Sequence, residues 1–124
     1  MQLKLNSRVP VYVQVVRYFK EQIANGTIEP GEEMPSRREL ANKLKINPNT
    51  VQRAYKEMEE LGLIYTEGNL PSKVTKDEKI IRTVREDLLT EAVHHFVSSI
   101  QALHIPLDEI IPLIEKSYRK EKGE

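Results

Sequence analysis

Residues Pro35–Tyr55, PSRRELANKLKINPNTVQRAY, decide the fold of this chain. The stretch contains two short helices, each with its own start signal, joined by a three-residue turn. Ser36 stands three residues before Glu39, the spacing of a capping box in which hydroxyl and carboxylate each satisfy the other residue's backbone N–H. Leu40, Ala41 and Leu44 follow as a buried stripe, and Lys45-Ile46 turns the corner. Asn47 is the expected N-cap of the second helix, with Pro48 at its first position, where a missing N–H leaves no bond unmade. Val51, Ala54, Met58 and Leu61 recur at three- and four-residue spacing and face a core, and Gly62 is placed to end the helix. With that face committed inward, Asn49, Thr50, Gln52, Arg53 and Lys56 point outward.

The outward residue types carry a specific chemistry. Asn and Gln can bond an adenine edge through two hydrogen bonds, Arg can do the same with guanine, and Thr can meet a base or a phosphate. Arg37 and Arg38, in the first turn of the preceding helix, suit phosphate contacts that set register without reading sequence. A solvated helix face would also be polar, but it would not require two capped helices at a three-residue separation. Charge agrees with a nucleic-acid face. From Met34 to Lys56 six bases stand against Glu39 alone.

At this level of detail the chain resembles the GntR family of bacterial transcription regulators, and its YtrA-type branch in particular. The resemblance rests on NPNTVQRAY, on PGEEMPSRRELA and on PVYVQVVRYFKEQIANGTIEPGEEMPSRREL, which begins at Pro10, and it runs to about Tyr65. It implies an N-terminal winged helix-turn-helix with DNA contacts from Ser36, Arg37 and Arg38, and from Asn47, Asn49, Thr50, Gln52 and Arg53. It also implies a two-helix dimerisation tail and action as a repressor.

The wing departs from the family pattern. Leu63-Ile64-Tyr65-Thr66 reads as its first strand and Lys73-Val74-Thr75 as its second. The connection Glu67-Gly68-Asn69-Leu70-Pro71-Ser72 lacks the usual Gly-x-Gly and places Glu67 where a base is expected. Gly68-Asn69 still makes a good turn, so the hairpin is expected without a base-reading contact.

On the N-terminal side, Tyr12, Val15 or Val16, Phe19 and Ile23 share one helix face, and Gly26 ends that helix. Met34 is expected to add a short strand beside the wing, and Asn6–Pro10 reads as an extended arm; Lys4 and Arg8, before and within it, could touch a phosphate, although a base or two is common on flexible termini and usually carries no function. From Asp77 the pattern changes to a long helix reaching about Leu103, with Ile81, Val84, Leu88, Ala92, Phe96, Ile100 and Leu103 on one face and Ile80, Leu89, Val93 and Val97 widening it. His104-Ile105-Pro106 breaks it. A shorter helix then carries Leu107, Ile110, Ile111, Ile114 and Tyr118 inward, with Pro112 either kinking it or delaying its start. Two helices with so broad an apolar stripe cannot form a core alone, so pairing with a second copy is expected, giving a four-helix arrangement. The dimerisation set is Ile81, Val84, Leu88, Ala92, Phe96, Ile100, Leu103, Ile110 and Ile114.

The expected architecture is therefore mainly α with a small β-hairpin: residues 1–76 form the winged helix-turn-helix and residues 77–124 the helical tail. The formal net charge is zero, but residues 1–76 hold 12 Lys/Arg against 9 Asp/Glu and residues 77–124 hold 7 against 10, a basic head on an acidic tail. With no cysteine there is no disulfide or thiolate chemistry. No signal-like segment or membrane-length apolar run occurs, so a cytoplasmic protein is expected. No nucleophile–base pair or phosphate loop stands out, and His94, His95 and His104 lack partners at metal-ligand spacing, so neither an enzyme nor a metal or cofactor is expected. Tyr18, Tyr55, Tyr65 and Phe96 read as core or boundary residues rather than a ligand cage. A small-molecule effector would have to lie between tail and head or at the dimer interface, since 124 residues leave no room for an effector domain. The alternative is a winged helix used only to bind other proteins, which predicts an apolar or acidic outer face where Asn49, Gln52 and Arg53 stand.

Overall fold

A computed structural model describes residues 3–123. The elements follow in the order α1 (Val11–Ala24), α2 (Arg37–Leu44), α3 (Pro48–Glu60), β1 (Ile64–Tyr65), β2 (Lys73–Val74), α4 (Glu78–Ile100), a 3-10 turn (Gln101–Leu103) and α5 (Leu107–Glu121). The chain forms two compact units that divide within α4, one up to Leu88 and the other from Leu89. No helix among the described residues is long and apolar enough to cross a membrane.

In the first unit α3 is the central element, packed on α1, α2 and β1. The core joins Val15, Val16, Phe19 and Ile23 of α1 to Leu40 and Ala41 of α2, to Val51, Ala54, Tyr55 and Met58 of α3, and to Leu63, Ile64 and Val74 of the hairpin. These are the helix faces expected from spacing, although Tyr12 and Leu44 are only partly buried against the core. Leu61, expected inside, is exposed. It is the C-cap residue of α3, where the chain is already leaving the helical path.

Caps set the element boundaries. Ser36 Oγ accepts from Glu39 N–H at 3.1 Å and Asn47 Oδ1 from Asn49 N–H at 2.8 Å, whereas the return bond of the capping box, from Ser36 N–H to the Glu39 carboxylate, is not formed among the described residues. Gly62 closes α3 at φ +76°, with Leu63 N–H bonded to Met58 O at 2.9 Å and Gly62 N–H to Glu59 O at 3.0 Å. A Cβ there would also come within 3.0 Å of the Ile80 side chain. The same closure ends α2, where Ile46 N–H donates to Ala41 O at 3.1 Å, but the left-handed position is held by Lys45 at φ 56°. An L side chain in that conformation costs roughly 1–2 kcal/mol. Lys45→Gly should therefore raise stability by roughly 0.5–1 kcal/mol, the gain being reduced by glycine's freer unfolded state. Thermal unfolding at fixed protein concentration checks this, and an unchanged or lower midpoint would refute it.

The hairpin pairs Ile64 with Val74 and Tyr65 with Lys73, antiparallel. Glu33 bridges to Lys73 on the other side, with Met34 N–H donating to Ser72 O at 2.7 Å, so the expected extra strand is present as a single bridge. Ile80, Ile81 and Val84 of α4 pack on the core of this first unit. Two of the residues expected on the dimer face, Ile81 and Val84, are thus already partly covered within the chain.

In the second unit no described residue of α4 or α5 is buried. Leu89, Val93, Phe96 and Val97 are exposed on α4, and Leu103, Leu107, Ile114 and Tyr118 follow. His104, at φ 52°, closes the 3-10 turn in the left-handed conformation. Pro112 lies inside α5, which begins at Leu107 and continues through it.

Candidate nucleic-acid interface

The surface built by α2 and α3 starts from a buried tyrosine. Tyr55 is wholly enclosed, meets Phe19 edge-to-face at 6.5 Å, and its hydroxyl donates to Pro35 O at 2.5 Å. Burial pushes the phenol well above its usual range, and the nearby Arg37 offsets only part of that, so the group remains a donor. This bond ties the middle of α3 to the residue before the N-cap of α2. It thereby sets the relation between the two helices of the motif.

Arg37 completes the tie. Its Nη2 lies 2.7 Å from Glu59 Oε1, and its guanidinium sits 4.8 Å from the centre of the Tyr55 ring. Its Nε is buried without a hydrogen-bond partner. Glu59 also accepts from Thr66 Oγ1 at 3.4 Å, and Thr66 and Ser72 share a hydroxyl–hydroxyl bond of 2.6 Å across the wing. Arg37, expected as a phosphate ligand, is therefore engaged in a latch joining α2, α3 and the wing. With both partners about a third exposed, the ion pair adds little to stability. Its role is geometric.

Arg53 is similarly engaged. Its guanidinium stacks 3.8 Å from the centre of the Tyr12 ring and Nη2 donates to Tyr12 Oη at 3.2 Å, docking the outer side of α3 on the start of α1. Ser36 Oγ and Asn47 Oδ1 are occupied as caps, which leaves the Asn47 amide N–H group available. Arg38, Asn49, Gln52 and Lys56 are exposed, Thr50 is half-exposed, and none of these side chains forms a hydrogen bond or ion pair within the described residues. Asn49, Thr50 and Arg53 line one shallow groove with Asn47, Pro10, Val11 and Tyr12, so the first turn of α3 opens beside the N-terminus of α1.

The wing tip is a tight turn, with Leu70 N–H bonded to Glu67 O at 3.0 Å and Gly68 at φ +56°. From Glu67 to Ser72 its one charged residue is acidic. Among the described residues no cluster of three or more His, Cys, Asp or Glu is placed to hold a metal.

The sequence pattern placed the outward face of α3 but missed Tyr12, Glu59 and Pro35. Nothing local marks them, because each partner lies 20 or more residues away. The start-to-start juxtaposition of α1 and α3 is likewise a tertiary fact.

Residues 11–74 match the pattern that defines the bacterial regulatory proteins of the gntR family. Among curated proteins the chain is similar to the HTH-type transcriptional repressor YtrA of Bacillus subtilis, with 32% identity over 119 residues covering 89% of this chain and 91% of that one. Among solved structures it resembles a GntR family transcriptional regulator from Listeria monocytogenes, at 37% identity and TM-score 0.84 over 90% of this chain and 98% of that one. It also resembles AraR(DBD) in complex with operator ORE1, at 26% identity and TM-score 0.52 over 60% of this chain and 94% of that one.

Proposed function

The chain belongs to the gntR family of bacterial regulatory proteins, and from that premise we propose that it is a cytoplasmic repressor that binds a palindromic operator as a homodimer. As a GntR regulator of the YtrA type it is a DNA-binding transcription regulator and not an enzyme. The observation that carries the finer reading is the division of α3: Val51, Ala54, Tyr55 and Met58 are buried, while Asn49, Gln52 and Lys56 stand exposed. A helix so divided can lie in the major groove while anchored behind. Asn49, Thr50 and Gln52 then read base edges, Arg38 and Lys56 meet phosphates, and Ser36 and Asn47 approach the backbone at the two helix starts. Arg37 and Arg53 act mainly as struts, because each already holds a partner within the head.

The exposed apolar residues of α4 and α5 support the dimer. A second copy would cover Leu88, Ala92, Phe96 and Ile100 of α4, Leu103 of the 3-10 turn, and Ile110 and Ile114 of α5 in a four-helix arrangement. A two-fold axis then presents two copies of α3 to half-sites about 34–36 Å apart, or a multiple of that. The names of the relatives support repression, YtrA and NagR of Bacillus subtilis both being described as repressors.

Selection of bound duplexes from a random pool at near-physiological salt, followed by sequencing, tests this. A palindromic motif is expected. Enrichment of nothing, or only salt-sensitive binding without a motif, would mean that a ligand is required or would favour the protein-binding alternative. On the recovered duplex, Gln52→Ala should relax preference at one base pair by roughly 1–3 kcal/mol, whereas Arg38→Ala should weaken all sequences alike. An unchanged preference profile in the Gln52 variant would remove that residue from the reading set.

A further inference from the structure

Asn6 to Val9, just before α1, do not form a loose tail. Gln14, one turn into α1, receives Asn6 N–H on its Oε1 at 3.0 Å and donates from Nε2 to Asn6 O at 2.8 Å and to Val9 O at 2.7 Å. Asn6 Oδ1 in turn accepts from Arg8 N–H at 2.9 Å. Every polar atom of the Gln14 amide is thus bonded to backbone of the arm, and Leu3 packs on the core ahead of it. Residues Asn6 to Val9 are held in one conformation by a side chain of the helix they precede.

The clamp lies at a particular end of the molecule. Pro10, Val11 and Tyr12, which directly follow the arm, share the groove with Asn47, Asn49, Thr50 and Arg53 at the start of α3. Arg8 is two residues from Pro10, so its Cα lies within about 7 Å of that groove's edge. It is exposed, and its guanidinium has no ion pair within the described residues. With Arg37 committed to Glu59 and Arg53 to Tyr12, the bases left for phosphates beside α3 are fewer than the sequence suggests.

We propose that Arg8 contacts a phosphate of the DNA strand flanking the α3 groove, and that Gln14 is its positioning residue. This rests on the DNA-binding reading above. The physical reason for the clamp is preorganisation. Fixing the backbone of a free residue costs roughly 1–2 kcal/mol, so a four-residue arm that had to order on binding would cancel the gain from one phosphate contact. In this protein the arm is ordered before DNA arrives.

The test uses the full chain, the duplex recovered by selection and a scrambled duplex of equal length, titrated at several salt concentrations. Arg8→Gln should reduce the slope of log affinity against log salt by about one and weaken both duplexes by the same factor. Gln14→Ala, which leaves Arg8 in place, should weaken binding several-fold, and that loss should vanish in the Arg8→Gln background. A Gln14 that merely supported the fold would weaken both backgrounds equally, which would overturn its positioning role. An unchanged salt slope in Arg8→Gln, with wild type binding normally, would overturn the phosphate contact. Failure of wild type itself to bind either duplex would overturn the DNA-binding reading and this proposal with it.

Discussion

With the tail paired as proposed, Val93→Glu combined with Phe96→Glu is expected to convert dimer to monomer and to reduce affinity for the proposed palindromic duplex by at least about 100-fold. Both side chains are exposed in the single chain, at 52% and 40%, although they are apolar and lie on one helix. If a second copy covers them, each contributes roughly 1.5–3 kcal/mol by burial, and two-fold symmetry counts each contribution twice. A carboxylate in their place would have to be desolvated without a partner. The head should remain folded, because its core is closed by α1, α2, α3 and the hairpin without any residue beyond Leu88. Light scattering after size exclusion gives the oligomeric state, and a titration with the selected duplex gives the affinity. A variant that stays dimeric would place the interface elsewhere. A monomer that binds as tightly as wild type would defeat the two-half-site reading.

Tyr55→Ala is expected to lower stability by roughly 3–5 kcal/mol, enough to unfold much of the head at moderate temperature. The ring has no exposed surface, and its removal leaves a cavity among Phe19, α2 and α3. It also takes away the surface on which the Arg37 guanidinium rests and the donor to Pro35 O. Tyr55→Phe separates these contributions. It keeps the ring and should lose only about 1–2 kcal/mol, the cost of one unsatisfied carbonyl and a lost hydrogen bond. Because that bond sets α2 against α3, Tyr55→Phe should also weaken the selected duplex more than the scrambled one. Chemical denaturation at fixed protein concentration measures the first effect, and competition between duplexes the second. Equal destabilisation by Phe and Ala would show that the hydroxyl, not the ring, carries the contribution.

Much of the architecture was legible in short-range pattern. Helix starts could be read at Ser36 and Asn47 because capping is a contact between neighbours two or three residues apart, and the structure forms both bonds. The buried faces of α1 and α3 followed from spacing, since a helix repeats its surface every three or four residues. The hairpin was placed correctly, although only Ile64–Tyr65 and Lys73–Val74 pair as strands. The long apolar pattern from Asp77 also located the tail helices, and the break at His104–Pro106 separates them as expected.

Local pattern could not show which outward residues are free. Arg37, Arg38 and Arg53 look alike as bases in the sequence, yet Glu59 takes the first and Tyr12 the third, and among the described residues Arg38 forms no hydrogen bond or ion pair. The same holds for the arm: Asn6 to Val9 carries no signal of order, and a glutamine eight residues from Asn6 supplies it. Ile81 and Val84 belong by periodicity to the tail stripe, but packing places them on the head. Periodicity and capping are set by the chain's neighbours, so the sequence alone determined the elements and their inward faces. Ion pairs, ring stacking and side-chain clamps depend on which distant surfaces meet, and that was decided only when the helices packed.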